Sequence, residues 1–399
     1  MKVIYADNNA TTRVAPEVLE EMLPFFSEYY GNPSSMHVFG GQVAKKIDNA
    51  RQQVADIIGA EPEEIVFTSC GTESDNTAIM GVLRANPGKK HIVTSRVEHP
   101  AVYNLCTYLA QNGYHVTELG VDRDGMINVD ELSNAVREDT AIVSIMYANN
   151  ETGVIFPIKE IAGIVKQKGS VFHTDAVQAV GKIPLNLSES SIDLLTISGH
   201  KLHAPKGVGA LYIRKGTSIA PFIIGGHQEK NRRGGTENVP SIIGLGTACE
   251  LAKRFMGEEQ TRVKQLRDRL ERKIVEKAPD AIINGYKSPR LPNTTNISFE
   301  YVEGEAILLL LNEKGICASS GSACTSGSLE PSHVLRAMGI PFTAVHGSVR
   351  LSLSRYNTSD DVDYIVEHLP PIVRRLREIS PYNRDSKFQG QISAAAGHC

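Results

Sequence analysis

The chain has 399 residues, 41% of them hydrophobic and 22% charged, with a formal net charge of −3 and no long basic run. The length suffices for a large domain and a smaller one, and the charge argues against nucleic-acid binding. Six cysteines without paired spacing predict neither a disulfide framework nor a zinc site. The apolar run 306–311 is too short to span a membrane. The N-terminus has no apolar leader, which together with the unpaired cysteines fits a reducing cytoplasm.

Between residues 65 and 213 the sequence alternates short segments rich in β-branched residues with amphipathic segments. The segments predicted to form strands are 65–68, 91–94, 141–145, 171–174 and 208–213. Residues 158–168 are one of the amphipathic segments that predict helices between them. This alternation is typical of an α/β fold with a mostly parallel sheet covered by helices on both faces.

The second half of the chain predicts a smaller α/β domain. Residues 241–276 have the pattern of one long helix that bridges two domains. Predicted strands at 294–299 and 348–353 alternate with predicted helices at 303–311 and 359–377. We therefore predict a large domain over 14–257 and a small domain over 1–13 and 258–380. Residues 381–399 are polar and small, which predicts a mobile tail.

The first polar motif in chain order, residues 68–74, follows a predicted strand and opens a helix. The backbone N–H groups of Gly71 and Thr72 would point at an anion there, aided by the helix dipole. By itself the motif is better explained as a helix start capped by Thr72, and a cofactor lysine nearby favours phosphate binding instead. Cys70, in the same motif, has the pattern of a small core residue, as do Cys106 and Cys249.

His99 and the segment 149–153 follow two other predicted strands, so they point to the same edge of the sheet. An imidazole there can stack on an aromatic ring and transfer protons near neutral pH. Considered alone, His99 is better explained as a core or helix-capping histidine.

Asp175 follows the predicted strand 171–174 at this edge. A buried carboxylate needs a cationic partner, and a pyridinium nitrogen would serve. Gln178 is placed to reach the 3-oxygen of the same ring. The alternative is that Asp175 caps a helix.

Lys201 follows Asp175 by about one strand and its connections and lies in a run of small and hydrogen-bonding residues. A lysine and an upstream carboxylate are what an enzyme needs to hold pyridoxal 5′-phosphate: the lysine forms a Schiff base with its aldehyde, and the carboxylate keeps its ring nitrogen protonated. Ser198 and His200 flank the lysine and can donate to the phosphate. An ordinary surface lysine is the alternative, against which the apolar and Gly-rich context of Lys201 argues.

Three further features remain in the second half of the chain. The loop 232–238 is basic and contains glycine, as a phosphate contact requires. Cys324 lies in a run of small residues, 318–328, which predicts a mobile, exposed segment that suits a reactive thiol; a flexible linker is the alternative. Arg350, on a predicted strand, can bind a carboxylate through two parallel hydrogen bonds or form a surface ion pair. We interpret Cys317 as structural.

Together these residues resemble the pyridoxal-phosphate cysteine desulfurases, and most closely the nitrogenase-associated (nitrogen-fixation) type. The resemblance covers residues 3 to 380. The matching segments are 7–12, 31–35, 68–76, 98–100, 149–153, 173–178, 198–201 and the run around Cys324.

The resemblance implies a fold-type-I homodimer with pyridoxal 5′-phosphate as its cofactor. It implies the following roles: Lys201, Cys324 and His99 are catalytic; Gly71, Thr72, Ser198, His200 and the partner chain's Thr236 bind the phosphate; Asp175 and Gln178 bind the ring; Asn150 and Arg350 bind the substrate carboxylate.

The implied reaction converts L-cysteine to L-alanine and leaves a persulfide on Cys324. The implied acceptor of the sulfur is an iron-sulfur scaffold protein. Cys324 would transiently be a ligand of the cluster that the scaffold holds. Three alternatives stay open: an aminotransferase of the same fold, a selenocysteine lyase, and a non-catalytic sulfur carrier or iron-sulfur scaffold.

Overall fold

The computed structural model describes residues 3–320 and 331–380. Within those ranges the secondary structure alternates between strands and helices over most of the chain. No helix in this part of the chain is both long enough and apolar enough to cross a membrane.

The larger of the sheets has seven strands in the order β2-β8-β7-β6-β5-β3-β4. Its strands are β2 (Ile65–Thr68), β3 (His91–Ser95), β4 (His115–Leu119), β5 (Thr140–Ser144), β6 (Val171–Asp175), β7 (Leu194–Ser198) and β8 (Gly209–Ile213). Strand β8 runs antiparallel to both of its neighbours, β2 and β7, and the other six strands run in one direction. The prediction of an α/β fold with a mostly parallel sheet is confirmed.

Both faces of this sheet are buried because successive apolar residues point to opposite sides. In β2, Ile65 and Phe67 belong to the largest core cluster, whereas Val66 belongs to a second cluster on the other face. In β5, Val143 and Ile142 divide in the same way. Helices therefore cover the sheet on both sides, as the strand composition predicts.

The helices that surround the sheet and connect to the rest of the chain differ widely in length. They are α1 (Pro16–Met22), α2 (Pro24–Ser27), α3 (Val38–Ile58), α4 (Gly71–Ala85), α5 (Pro100–Gln111), α6 (Val129–Ala135), α7 (Ile158–Gln167), the short turn α8 (Gln228–Asn231) and α9 (Val239–Glu258). The described parts of the second half add α10 (Lys264–Lys277), α11 (Gly304–Glu313), α12 (His333–Ala337), α13 (Phe342–Val345) and α14 (Ser359–Ile379).

A second core lies around a three-stranded antiparallel sheet in the order β12-β10-β9. Its strands are β9 (Ile282–Ile283), β10 (Thr294–Ser298) and β12 (Ser348–Ser352). The N-terminal strand β1 (Ile4–Tyr5) joins this part of the molecule by pairing in parallel with β11 (Ile316–Cys317). Ile4 accordingly packs in the same apolar cluster as α10, α11 and α14.

The long helix predicted over 241–276 is interrupted. Helix α9 ends at Glu258, a π-helical turn spans Glu259–Val263, and α10 follows. The apolar residues of α9 belong to the large core, and those from Val263 onward belong to the second core. The chain therefore passes from one core to the other at this turn.

The domain bounds at 14–257, 1–13 and 258–380 stay a prediction. Helix α12 and the residues up to Val345 pack against the large core, although in sequence they lie between residues of the second core. The second part of the chain thus contributes to both cores.

Two strands of the large sheet were not among the predicted ones. Strand β4 is an edge strand with an exposed or half-buried polar pattern, so it lacks the apolar run that identifies the others. Strand β7 is fully buried and lies between Asp175 and Lys201. Asp175 itself is the last residue of β6 rather than the residue after it.

Candidate active site

The polar residues singled out in the sequence meet where parallel strands end. Strand β6 ends at Asp175, and β7 ends at Ser198, three residues before Lys201. The chain leaves β3 toward His99 and leaves β5 toward Asn150. Because the carboxyl ends of parallel strands share one edge of the sheet, these side chains converge there.

They enclose a cavity of about 330 Å³. Ten of the predicted site residues line it: Gly71, Thr72, His99, Asn150, Asp175, Gln178, Ser198, His200, Lys201 and Arg350. The remaining described residues in its wall are Asn9, Ala10, Cys70, Asp75, Met146, Ala148 and Val177.

Helix α4 begins with its N-terminus at this cavity. Its N-cap is Cys70, whose Sγ accepts a hydrogen bond of 3.5 Å from the N–H of Glu73. The interpretation of Cys70 as a core residue was therefore wrong, because the thiol caps the helix and lines the cavity. Thr72 does not act as the cap. Cys106 and Cys249 are buried, as predicted, and burial raises the pKa of each thiol to about 12.

Gly71 keeps this helix start open. A Cβ atom at Gly71 would lie 3.1 Å from Cγ2 of Val177 and 3.3 Å from Cβ of Ser198. Any larger residue would therefore fill the space between the helix N-terminus and the end of β7. That space, next to free N–H groups and the Ser198 hydroxyl, suits a phosphate.

The Asp175 carboxyl group is buried at the cavity wall. Its Oδ1 accepts a hydrogen bond of 2.9 Å from the N–H of Val177, which closes a turn rather than capping an α-helix. Burial raises the pKa of Asp175 to about 6, and the N–H of Val177 and the charge of Lys201 oppose that rise. A cation in the cavity would complete its interactions.

Lys201 ends a short 3₁₀ turn and is half-buried, so it is not an ordinary surface lysine. Its Nζ donates to the carbonyl oxygen of Asn9 at 2.6 Å and to that of Ala10 at 2.7 Å. The amine is thereby held inside the cavity by the N-terminal segment.

His99 caps a helix and also lies at the cavity. It is the N-cap of α5, where Nδ1 accepts a hydrogen bond of 3.2 Å from the N–H of Ala101, and its ring lines the cavity. Burial lowers the pKa of His99 to about 4, with smaller contributions from Lys201 and His333. The imidazole is therefore neutral near pH 7 and can accept a proton.

Of the remaining predicted residues, His200 and Gln178 line the cavity and Thr236 does not. Nδ1 of His200 lies 3.2 Å from the Thr11 hydroxyl, and Nε2 of Gln178 donates to the carbonyl oxygen of Asn9 at 3.1 Å. Thr236 does not reach the cavity within one chain, because it lines a neighbouring cavity beside Ser69. A role for Thr236 at a partner's cofactor stays a prediction.

Arg350 is buried and is not part of a surface ion pair. Its Nη1 donates to the carbonyl oxygen of Asn150 at 3.1 Å, and its Nη2 donates to Oδ1 of Asp7 at 3.0 Å. The same carbonyl of Asn150 accepts from the amide of Asn9. The N-terminal segment thus contacts the arginine as well as Lys201.

Two buried carboxyl groups near the site were missed in the sequence. Asp75, on α4, lines the cavity, and its Oδ1 lies 3.6 Å from Nε2 of His173. Glu98 accepts hydrogen bonds from the Ser95 hydroxyl and from the N–H of Met146. Asp75 lies in the motif that contains Gly71, and Glu98 lies in the motif that contains His99. Only their burial distinguishes them from surface acids, because Asp75 is 1% exposed and Glu98 is 0% exposed.

Cys324 lies outside the described residues. On its N-terminal side, Ser319 exchanges backbone hydrogen bonds with Arg350. On its C-terminal side, the Ser332 hydroxyl donates to Oε2 of Glu151 at 2.5 Å, and Nε2 of His333 lies 3.0 Å from the carbonyl oxygen of Glu98. The described chain on both sides of the segment therefore lies beside residues of the site.

The side chains of the cavity fit pyridoxal 5′-phosphate. Three features match parts of the cofactor. The helix N-terminus with its glycine leaves space for the phosphate, the buried carboxyl group of Asp175 suits the ring nitrogen, and the amine of Lys201 suits the aldehyde. Within residues 3–320 and 331–380, no cluster of three or more His, Cys, Asp or Glu side chains is placed to hold a metal ion.

Comparison with known proteins shows, over most of the chain, the family to which it belongs. The family described as aminotransferase class-V matches residues 4–365. A cysteine desulfurase of Trichormus azollae is 60% identical over 385 residues, which are 96% of each chain. The cysteine desulfurase NifS of Azotobacter vinelandii is 58% identical over 383 residues, covering 96% of this chain and 95% of that protein. A solved NifS-like protein superposes with a TM-score of 0.88 at 41% identity and covers 94% of this chain and 100% of its own.

Proposed function

We propose that this chain, which belongs to the aminotransferase class-V family, is a pyridoxal-phosphate-dependent cysteine desulfurase. It converts L-cysteine to L-alanine and leaves the sulfur as a persulfide on Cys324. The observation that carries the proposal is the single cavity that brings together Lys201, the buried carboxyl of Asp175 and the N-terminus of α4.

The cofactor is held through three contacts. The N-terminus of α4, with Ser198 and His200 beside it, binds the phosphate. The Asp175 carboxylate would pair with the ring nitrogen, and Gln178 would hold the 3-oxygen. Bound in this way, pyridoxal 5′-phosphate supplies an electron sink for the bonds at Cα of an amino acid.

The side chains of the cavity position the substrate and move its protons. Arg350 binds the substrate carboxylate and thereby places Cα near the amine of Lys201. The neutral amine of Lys201 removes the Cα proton. His99, which is neutral because its pKa is lowered to about 4, stacks on the ring and accepts or returns a proton during the later steps.

The Cys324 thiolate collects the sulfur. It attacks the sulfur atom of the substrate, so that an S–S bond forms while the Cβ–S bond of the substrate breaks. The electron pair of the broken bond passes to the carbon skeleton, which takes up protons and leaves as alanine. Cysteine and one thiol are thus converted to alanine and one persulfide, with no external oxidant or reductant.

The active unit is a homodimer. Large apolar side chains are exposed around α2 and the start of α3, including Phe26 at 62%, Tyr30 at 72% and Met36 at 104%. Another exposed apolar residue, Ile224, follows Ile223, whose carbonyl oxygen accepts a hydrogen bond from Gly234 in the loop that contains Thr236. Burial of these side chains against a second copy, with Thr236 of one chain beside the phosphate of the other, accounts for both features. Light scattering of the purified protein measures this state directly.

The sulfur acceptor is an iron-sulfur scaffold protein that serves nitrogenase assembly in the cytoplasm. The similarity to a relative named NifS supports this role. The four described cysteines are free, which suits a reducing compartment and persulfide chemistry. Capture of the tagged protein from native cells, followed by identification of a bound iron-sulfur scaffold, tests the assignment.

The experiment that tests the activity is alanine formation from L-cysteine with no keto acid present. A desulfurase forms alanine and persulfide in equal amounts under these conditions, whereas an aminotransferase forms no alanine. Comparison of the rates on L-cysteine and L-selenocysteine separates a desulfurase from a selenocysteine lyase.

A further inference from the structure

The Arg350 guanidinium forms an ion pair with the carboxylate of Asp7. Asp7 accepts a hydrogen bond of 3.0 Å from Nη2 of Arg350. The side chain of Asp7 is 16% exposed, and that of Arg350 is 3% exposed. Arg350 lines the cavity that contains Lys201, and Asp7 is not among the described residues that line it. The carboxylate therefore contacts the guanidinium on the side away from the substrate.

The main chain fixes Asp7 in this place. Its backbone forms a parallel bridge with Ser352, and the N–H of Ser352 donates to the carbonyl oxygen of Ala6 at 2.7 Å. Ser352 lies two residues after Arg350 in β12, so their side chains are on the same side of the strand. The pairing of the N-terminal segment with β12 thus places the Asp7 carboxylate next to the guanidinium.

The arginine keeps capacity for a ligand. Its Nε atom is buried and has no hydrogen-bond partner among the described residues. A buried N–H group without a partner is unfavourable, and it becomes satisfied when a carboxylate binds. A carboxylate that binds there shares one guanidinium with Asp7, and two negative charges that share one cation repel each other.

We propose that Asp7 is a positioning residue that orients Arg350 and weakens its hold on amino-acid carboxylates, so that the product leaves after each turnover. The inference rests on the proposed function, in which Arg350 binds the carboxylate of L-cysteine. L-Alanine has the same carboxylate, so an arginine with no second anion would bind substrate and product more firmly and would release the product more slowly.

The variant Asp7→Asn tests this inference because the amide keeps an oxygen that accepts from Nη2 and removes only the charge. We expect the KM for L-cysteine and the inhibition constant of L-alanine to fall together by about tenfold, the factor that removal of about 1.4 kcal/mol of repulsion produces. We expect kcat to fall as well, because alanine leaves more slowly. Asp7→Glu restores the charge and should return both constants toward those of the parent.

Two controls isolate the carboxylate. Cysteamine, which has the amine and thiol of the substrate but no carboxylate, should inhibit Asp7→Asn and the parent equally. Asp363→Asn removes another aspartate that is paired with an arginine, Arg269, on the molecular surface. It should change neither the KM for L-cysteine nor the inhibition constant of L-alanine.

The inference is overturned if Asp7→Asn raises the KM for L-cysteine and weakens inhibition by L-alanine, since Asp7 would then only support binding. It is also overturned if cysteamine inhibition changes as much as alanine inhibition. Failure of the proposed function gives a different result. Titration of the cofactor absorbance with L-alanine needs no turnover, and Arg350→Lys would leave that titration unchanged if Arg350 did not bind the carboxylate.

Discussion

The amine of Lys201 donates a hydrogen bond of 2.6 Å to the carbonyl oxygen of Asn9, a residue 192 positions earlier in the chain. A carbonyl at this distance holds the reactive nitrogen at the cavity. The amine must leave this hydrogen bond before it acts as a nucleophile or base. The N-terminal segment is thus part of the site rather than a support for the small core alone.

Lys201→Ala should lose the near-visible absorbance of the lysine-bound cofactor. It should also lower the rate of alanine formation by at least about 100-fold, because the base at Cα is removed. Absorbance spectroscopy and an alanine assay measure both effects. Lys206→Ala, an exposed lysine five positions on, should behave as the parent. A Lys201→Ala protein with an unchanged absorbance band would contradict the assignment of the lysine.

Gly71→Ala should weaken cofactor binding by about tenfold, because the new Cβ enters the space between α4 and the end of β7 and displaces one phosphate contact. Equilibrium titration of the apoprotein with pyridoxal 5′-phosphate measures the change. Gly88→Ala is the matched control, since a Cβ there meets nothing within 4 Å. Equal affinities for the two variants would place the phosphate elsewhere.

Asp175→Asn should weaken cofactor binding about 10- to 100-fold by removing a charged hydrogen-bond partner of the ring nitrogen. Burial raises the pKa of Asp175 to about 6, so its carboxylate is lost as the pH falls through that value. The parent should therefore release cofactor more readily below pH 6, whereas the affinity of Asp175→Asn should change little over the same range. Dialysis at several pH values followed by cofactor quantitation is the measurement. Parallel pH curves for the two proteins would argue against Asp175.

Glu98→Gln should change how stability depends on pH. Burial raises the pKa of Glu98 from 4.5 to about 8, so the folded chain keeps a proton that the unfolded chain releases. The stability from this protonated group is complete below pH 4.5 and is lost as the pH rises through 8. Glutamine imitates the protonated acid at every pH. Denaturant unfolding should therefore show the variant gaining stability over the parent between pH 5 and pH 8, and a constant difference would refute the assignment.

The sequence predicts the large sheet well because its central strands are continuous apolar runs bounded by polar residues. The predicted strand 65–68 coincides with β2, and 171–174 differs from β6 by one residue. Strand β4 was missed because its alternation of His, Val, Thr and Glu reflects an edge position. The π-helical turn at Glu259–Val263 has no breaker residue in its sequence, so one continuous helix was predicted there.

For the site, the strand ends were the informative signal. Asp175, Ser198 and Lys201 converge because parallel strands share an edge, which the sequence pattern implies. The contacts of Asn9 with Lys201 and of Asp7 with Arg350 depend on the return of the N-terminal segment to β12. Neither local periodicity nor motif spacing predicts such long-range pairing. The thiol of Cys70 was misjudged because burial and a capping position look alike in sequence.

The central claim is that sulfur from L-cysteine reaches Cys324. The most direct test is mass spectrometry of the holoenzyme after a single turnover with sulfur-labelled L-cysteine and digestion under non-reducing conditions. We expect one labelled sulfur atom on the peptide that contains Cys324, and one alanine for each labelled chain. We also expect that Cys324→Ser carries no label and forms alanine far more slowly. Label on another cysteine, or alanine formed by Cys324→Ser at the parent rate, would show that Cys324 is not the nucleophile.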